Sequence, residues 1–160
     1  MATGSEVRHM ASEPEVIDVQ PRRLLAIRRR VLWNEIGEVA MPALERLTAL
    51  LRDRGIAGTG QNIFLYENPT AEGADLAMGV ELTAEFELPE GFVFVETPTG
   101  RAATLTHFGA YDGLGEASRQ LMGWCEEHRY ELAGAGWEVY GAWSDDPSTL
   151  RTDIYLLLKT

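Results

Sequence analysis

The chain has 160 residues, enough for one domain with a hydrophobic core, and its 45% hydrophobic and 24% charged residues are typical of globular proteins. Its net charge of −11 disfavours direct binding to nucleic acid, because the phosphate backbone is also negative. Cys125 is the single cysteine, which excludes an internal disulfide. Because the sequence also shows neither an export signal nor a membrane-length apolar segment, we expect a cytoplasmic protein that does not enter the membrane.

The chain begins with a segment that carries no hydrophobic periodicity. We therefore expect a disordered tail over residues 1–13 and one folded domain over residues 14–160. An extended segment follows at 16–31, in which Pro21 interrupts the predicted strand because proline cannot donate a ladder hydrogen bond.

A helix is predicted next, from leucines spaced three and four residues apart that share one helical face. Pro42 fits a helix only near its first turn, so we expect the helix to begin close to Pro42 and to end at Gly55. Two strands are then predicted at 62–67 and 76–83, with a turn between them.

The same order of elements then occurs a second time. Strands are predicted at 92–96 and 101–106, followed by a helix with Asp112 as its N-cap. Two closing strands are predicted at 137–143 and 152–158. The second half of the chain therefore has the same strand, helix, strand, strand pattern as the first.

This repetition predicts the architecture of the domain. We expect a duplicated β-α-β-β unit, with repeat one over about 16–83, repeat two over about 92–160 and an offset of roughly 75 residues. The two units can share one antiparallel sheet with both helices on one face, which is an α+β fold with pseudo-twofold symmetry. The seam between them is a central groove, and such grooves commonly bind ligands.

Several motifs in the second half resemble those of a known family. They are HFGAY at 107–111, LMGWC at 121–125, EVY at 138–140 and DP at 146–147, followed by an apolar strand. They are similar to motifs of the GyrI-like effector-binding domains, which also occur behind DNA-binding domains in multidrug-responsive regulators of the MerR and AraC classes. The resemblance covers about 16–160, is stronger in the second half, and implies a duplicated, SHS2-like fold.

The resemblance also implies a function. Family members accept bulky, often cationic aromatic compounds in a central groove, and a glutamate matched here by Glu138 is the charged anchor. The first fifteen residues are too few for the helix-turn-helix that precedes this domain in the regulators. We therefore expect stand-alone small-molecule binding without direct nucleic-acid binding.

Glu138 is the central candidate because it is a carboxylate within an aromatic and apolar run, WEVYGAW at 137–143. Such a carboxylate is commonly the solvent-facing member of an alternating strand, but among rings it favours an organic cation, to which the rings add about 0.5–2 kcal/mol. Apolar surroundings would also raise its pKa and permit acid–base chemistry. Trp33 is a secondary candidate. The predicted ligand-binding residues are Glu138, Tyr140, Trp143, Tyr66, Phe64, Tyr111 and Phe108.

Three functions remain open at this point. The leading one is capture of aromatic or cationic drug-like compounds. The alternative implied by the resemblance is a hydrolase that detoxifies cyclopropane-bearing DNA-alkylating compounds, with Glu138 and Tyr140 as catalytic residues. The third is a gyrase-inhibitor-like interaction protein with an acidic surface. We expect no metal and no cofactor, because histidine and cysteine do not occur at ligand spacing, and an oligomer remains open.

Overall fold

The computed structural model of the protein describes residues 11–57 and 59–160. Short 3-10 turns, Trp33–Glu35 and Tyr111–Gly113, lead directly into the two α-helices of this part of the chain. The helices and strands are β1 (Glu15–Val19), β2 (Arg23–Leu32), α1 (Ile36–Asp53), β3 (Asn62–Glu67), β4 (Gly73–Glu81), β5 (Val93–Glu96), β6 (Gly100–Phe108), α2 (Leu114–Glu127), β7 (Leu132–Tyr140) and β8 (Arg151–Leu158).

These strands form one antiparallel sheet in the order β1-β6-β8-β7-β3-β4-β2-β5. The central pair is β7 and β3, whose register places Glu138 opposite Phe64. The order β2-α1-β3-β4 occurs again as β6-α2-β7-β8, in the other half of the sheet. The predicted α+β class with an antiparallel sheet and two helices is confirmed, whereas the duplication and the pseudo-twofold axis stay predictions.

The sheet curls strongly, because short connections join its two margins. β1 and β2 are six strand positions apart in the sheet order, which in a flat sheet would separate them by about 29 Å. Residues 20–22 alone connect them and span at most about 14 Å. Residues 97–99 connect β5 to β6 in the same way. The margins therefore meet, and there the Arg22 N–H donates to Thr97 Oγ1 at 2.8 Å.

The two faces of the curled sheet have different partners. Its inner face packs against itself and buries Leu24, Ile63 and Trp137, and the Trp137 ring stacks on Tyr155. On the outer face, α1 packs on β2 and β4, and α2 packs on β6 and β8. The middle strands β3 and β7 therefore lie between the two helices in the sheet order, and their outward side chains occupy the strip between α1 and α2.

Helix α1 begins earlier than predicted and ends as predicted. It starts at Ile36, so Pro42 lies inside the helix and not in its first turn, where proline costs one intrahelical hydrogen bond. At its end Gly55 has a φ of 65°. The Ile56 N–H donates to the Leu51 carbonyl at 2.9 Å, which is the Schellman arrangement that favours glycine.

Three other local predictions differ from the structure. Gly113, not Asp112, is the N-cap residue of α2, and no side chain caps that helix. Strand β7 ends at Tyr140, so Trp143 lies beyond it. The predicted tail over 1–10 lies outside the described residues, whereas the Ser12 N–H donates to the Thr106 carbonyl at 2.8 Å and so joins the sheet.

Neither described helix combines the length and the apolar character needed to cross a membrane.

Candidate functional site

The outward side chains of β3 and β7 form the floor of the candidate site. Because side chains alternate along a strand, burial of Trp137 and Val139 on the inner face directs Glu138 and Tyr140 outward. Phe64 pairs with Glu138 across the seam and also points outward. One carboxylate and several rings therefore share the strip between the helices.

Glu138 is 9% exposed, and one of its carboxylate oxygens is held by two tyrosines. Oε1 accepts hydrogen bonds from the Tyr140 hydroxyl at 2.6 Å and from the Tyr66 hydroxyl at 3.0 Å. Within the described residues, no lysine, arginine or histidine forms a salt bridge with this carboxylate.

The second carboxylate oxygen, Oε2 of Glu138, is not held in this way. In the described part of the chain, Thr152 Oγ1 is the single fully enclosed side-chain polar atom that lacks a hydrogen bond. Oε2 of Glu138 accepts no hydrogen bond from a described residue, unlike Oε1. The site thus has one carboxylate oxygen that two tyrosines hold and one that no described side chain holds.

Burial dominates the electrostatics of these groups. It raises the pKa of the Glu138 carboxyl above its ordinary value, while hydrogen bonds from Tyr140 and Tyr66 and the charge of His107 act in the opposite direction. The pKa values of Tyr66 and Tyr140 lie well above 10.0, chiefly through burial and then through the negative charge of Glu138. Both hydroxyls therefore stay protonated and remain donors at neutral pH.

A row of aromatic rings extends from the carboxylate in both directions. Trp33 lies 6.1 Å from Tyr66, and Tyr111 lies 5.6 Å from Tyr140, between ring centroids. Phe64 meets Tyr140 edge-to-face at 5.1 Å. Trp33 and Tyr111 are each about two-fifths exposed, so the row ends in accessible rings on both sides of a buried charge.

The structure brings five of the seven predicted ligand residues together. Trp143 lies in the loop after β7, is 71% exposed and has no recorded ring contact. Phe108 is the last residue of β6. His107 points to the outer face, like Leu105, and because side chains alternate along a strand, Phe108 points to the inner face. The five that meet are Glu138, Tyr140, Tyr66, Phe64 and Tyr111.

Two residues near the site are not among the ligand residues predicted from the sequence. Trp33 was only a secondary candidate, although it precedes α1 as Tyr111 precedes α2, and this matching position was the available signal. His107 belongs to the HFGAY motif at 107–111 but is not among the predicted ligand residues. Its buried ring lies 2.8 Å from the Ala110 carbonyl through Nε2, and it also contributes to the electrostatics of Glu138.

The described residues contain no group of three or more His, Cys, Asp or Glu side chains placed to hold a metal ion.

Comparison with known proteins identifies a family and a fold. The family model described as "GyrI-like small molecule binding domain" matches residues 12–159. The EcmrR C-terminal domain is 19% identical at a TM-score of 0.70, over 95% of this chain and 98% of that one. In the complex of EcmrR with DNA, this chain spans only 60% of the EcmrR chain, with 17% identity, a TM-score of 0.73 and 98% of this chain covered.

Two further solved structures are similar in fold. SAV2435 bound to tetraphenylphosphonium is 11% identical at a TM-score of 0.71, over 92% of this chain and 94% of that one. A hydrolase from Listeria innocua is 13% identical at a TM-score of 0.63, over 92% of both chains. No curated protein matches the sequence.

Proposed function

Because the chain belongs to the GyrI-like small-molecule-binding domain family, we propose that it binds a bulky aromatic cation between its two helices. In this proposal Glu138 supplies the negative charge. Tyr66, Tyr140, Tyr111 and Trp33 supply the ring surfaces around it.

The observation that carries the proposal is a buried carboxylate that forms no salt bridge with a described side chain, although His107 acts on it electrostatically. Burying a charged group is costly unless a counter-charge or hydrogen bonds compensate. Two tyrosine hydroxyls compensate Glu138 in part, but no described basic side chain pairs with it. A cationic ligand would supply the missing positive charge, and ring faces attract such a cation further.

A neighbouring fold supports the choice of ligand class. SAV2435 is bound to tetraphenylphosphonium, a large cation that has no hydrogen-bond donor. Such a ligand gains affinity from charge and ring contacts alone, and those are the two features that the strip around Glu138 offers.

Titration with tetraphenylphosphonium, followed by tryptophan fluorescence, tests the proposal. We expect Glu138→Gln to weaken binding at least tenfold, about 1.4 kcal/mol, because the buried counter-charge is lost. Glu67→Gln is the matched control: it removes the same charge from the inner-face side of β3, where Glu67 pairs with Arg28 at 3.3 Å. Equal affinity of Glu138→Gln and the parent protein would overturn the assignment.

Hydrolysis is a second candidate, favoured by the raised pKa of Glu138 and by its Oε2 atom, which accepts no hydrogen bond from a described residue. A carboxylate of this kind can accept a proton from water while the water oxygen bonds to a strained ring carbon. The ring carbon–carbon bond then breaks, and its electron pair passes to the conjugated acceptor group of the compound, which takes up a proton. Tyr140 would polarise the substrate, but it must first release its hydrogen bond to Oε1. The similar fold of a Listeria innocua hydrolase also motivates the test.

Mass spectrometry separates the two functions. A cyclopropane-bearing alkylating compound is incubated with the parent protein and with Glu138→Gln, and the water adduct is measured. Glu138-dependent turnover supports the hydrolase. Binding of the compound without turnover leaves binding as the function.

A further inference from the structure

A second feature of the outer face lies beside the carboxylate. A cavity of about 340 Å³ is present along the C-terminal half of α1 and the start of β3. Its volume falls at the lower end of the range, about 300–1,000 Å³, of known ligand pockets. Residues that line it include Leu44, Leu47, Leu51 and Val80, with Thr48 and Arg52 as polar members.

The cavity does not contain Glu138, but it adjoins the same floor. Asn62 lines the cavity, and Phe64, two residues further along β3, lies opposite Glu138. Asn62 and Phe64 are two positions apart, so they are separated by about 7 Å along the strand and point to the same face. The cavity and the carboxylate are therefore neighbours along the seam.

The ring pair of Phe64 and Tyr140 stands between the two features. Their centroids are 5.1 Å apart. The loop before β3 is tied to the end of β7, because the Gln61 side-chain amide donates to the Tyr140 carbonyl at 3.1 Å. A ligand held at Glu138 would therefore reach this partly apolar cavity past these two rings.

We propose that this cavity receives an apolar arm of the ligand whose cationic centre lies at Glu138, an inference that rests on the proposed function. The leucine and valine side chains that line part of the cavity fit a hydrocarbon or aromatic arm. Arg52 lines the cavity and has no salt-bridge partner among the described residues, so a second positive charge there is repelled. The ligand class is therefore a monovalent organic cation with one apolar arm.

Alkyltriphenylphosphonium ions test the inference, since they share one charge and differ only in the arm. Calorimetric titration of the parent protein should show the hexyl compound binding at least tenfold more tightly than the methyl compound. Thr48→Trp fills the cavity from an exposed helix position and should abolish this advantage, with the affinity for the methyl compound unchanged. Thr48→Phe is a smaller replacement with the same expected effect if the tryptophan variant does not fold.

Asp53→Trp is the matched control for bulk on α1. Asp53 is exposed, lies in the last turn of the same helix and is not among the cavity residues. This variant should retain the hexyl advantage. The comparison is a ratio between two ligands of equal charge, so the loss of the aspartate charge does not affect it.

A separate experiment tests whether Arg52 repels a second positive charge on the ligand. A hexyl arm that ends in trimethylammonium should lose the advantage in the parent protein, and Arg52→Gln should restore it. If the dication gains as much as the hexyl compound in the parent, Arg52 does not border the arm and the ligand class is wrong.

The outcomes separate this inference from the proposed function. If Glu138→Gln weakens both ions but Thr48→Trp keeps the hexyl advantage, the arm binds elsewhere and the inference is overturned while the proposed function stands. If neither ion depends on Glu138, the proposed function fails and the inference fails with it. Loss of the hexyl advantage in Thr48→Trp but not in Asp53→Trp, together with weaker binding of both ions to Glu138→Gln, supports both.

Discussion

Glu138 carries a conflict between stability and function at the scale of a single residue. Its carboxyl is buried beneath two tyrosines, which satisfies one oxygen and leaves the other without a hydrogen bond from a described residue. Such an arrangement is costly for the free protein, because desolvation acts against the charged form. The same cost is what a cationic ligand would relieve.

This conflict predicts a pH-dependent stability. The pKa of Glu138 is raised in the folded protein above its ordinary value of 4.5, so the folded state binds this proton more tightly than the unfolded state. The free energy of unfolding contributed by Glu138 therefore falls as pH rises from 4.5 through the raised pKa, and is constant above it. We expect Glu138→Gln to be more stable than the parent at pH 7, and this advantage to shrink as pH falls through the raised pKa toward 4.5.

Urea unfolding at acidic and neutral pH measures this difference. If Glu138→Gln gained no stability relative to the parent between acidic and neutral pH, the direction of the effect would be contradicted. Two-state transitions with the same denaturant slope in both proteins are required for the comparison.

The same titration should appear in ligand binding. Tetraphenylphosphonium carries a permanent charge, so any pH dependence of its affinity comes from the protein. We expect affinity to fall as pH is lowered through the raised pKa of Glu138, with a midpoint above 4.5, because the protonated carboxyl is neutral. Glu138→Gln should bind weakly with no such transition, and an identical transition in that variant would assign it to another group.

At the scale of elements, the turn from β6 into α2 depends on close contact between Gly113 and His107. A Cβ at Gly113 would lie 2.8 Å from His107 Cε1, and His107 is buried. The turn also carries Tyr111, which packs on Tyr140. A change at Gly113 therefore disturbs both the helix start and one end of the ring row.

We expect Gly113→Ala to destabilise the protein by about 1–3 kcal/mol, because the buried imidazole must move. Gly123→Ala is the control within α2, where a Cβ meets nothing within 4 Å. That substitution should stabilise the helix by about 0.5–1 kcal/mol. Thermal unfolding of the two variants measures both effects, and a neutral Gly113→Ala would show that His107 is free to shift.

At the scale of the whole molecule, the curl of the sheet decides where the site lies. Curling buries the inner face against itself, so both helices pack on the outer face and flank the central strands. The hydrogen bond from the Arg22 N–H to Thr97 Oγ1 holds the two margins together, and Thr97 is 2% exposed.

Thr97→Val tests this closure, because it keeps the side-chain shape and removes the acceptor. We expect a loss of about 1–3 kcal/mol in the free energy of unfolding, since the Arg22 N–H loses its partner in a buried position. Thr99→Val removes an exposed hydroxyl from the same connection and should change stability by less than about 0.5 kcal/mol. Equal effects of the two substitutions would contradict a role for Thr97 in closure.

Several features were predictable from sequence because they depend on near neighbours. Leucine spacing and Gly55 gave α1 and its C-terminal cap, and the alternation of β7 placed Glu138 and Tyr140 on one face. The start of α1 and the cap of α2 were missed, because proline and aspartate preferences are weak against tertiary packing. Family motifs added the expectation of a ligand glutamate.

The sequence by itself determined the α+β pattern, the order of the elements and the presence of a carboxylate within an aromatic strand. Each of these depends on local patterns, namely the two-residue alternation of strands and the three- and four-residue spacing of helices. Only the tertiary structure decided that the Tyr66 hydroxyl, 72 residues away, donates to Glu138, that Trp33 closes the ring row, and that Phe108 and Trp143 lie outside it. Those relations depend on the register of β3 against β7 and on the curl of the sheet, which join parts of the chain that local patterns do not connect.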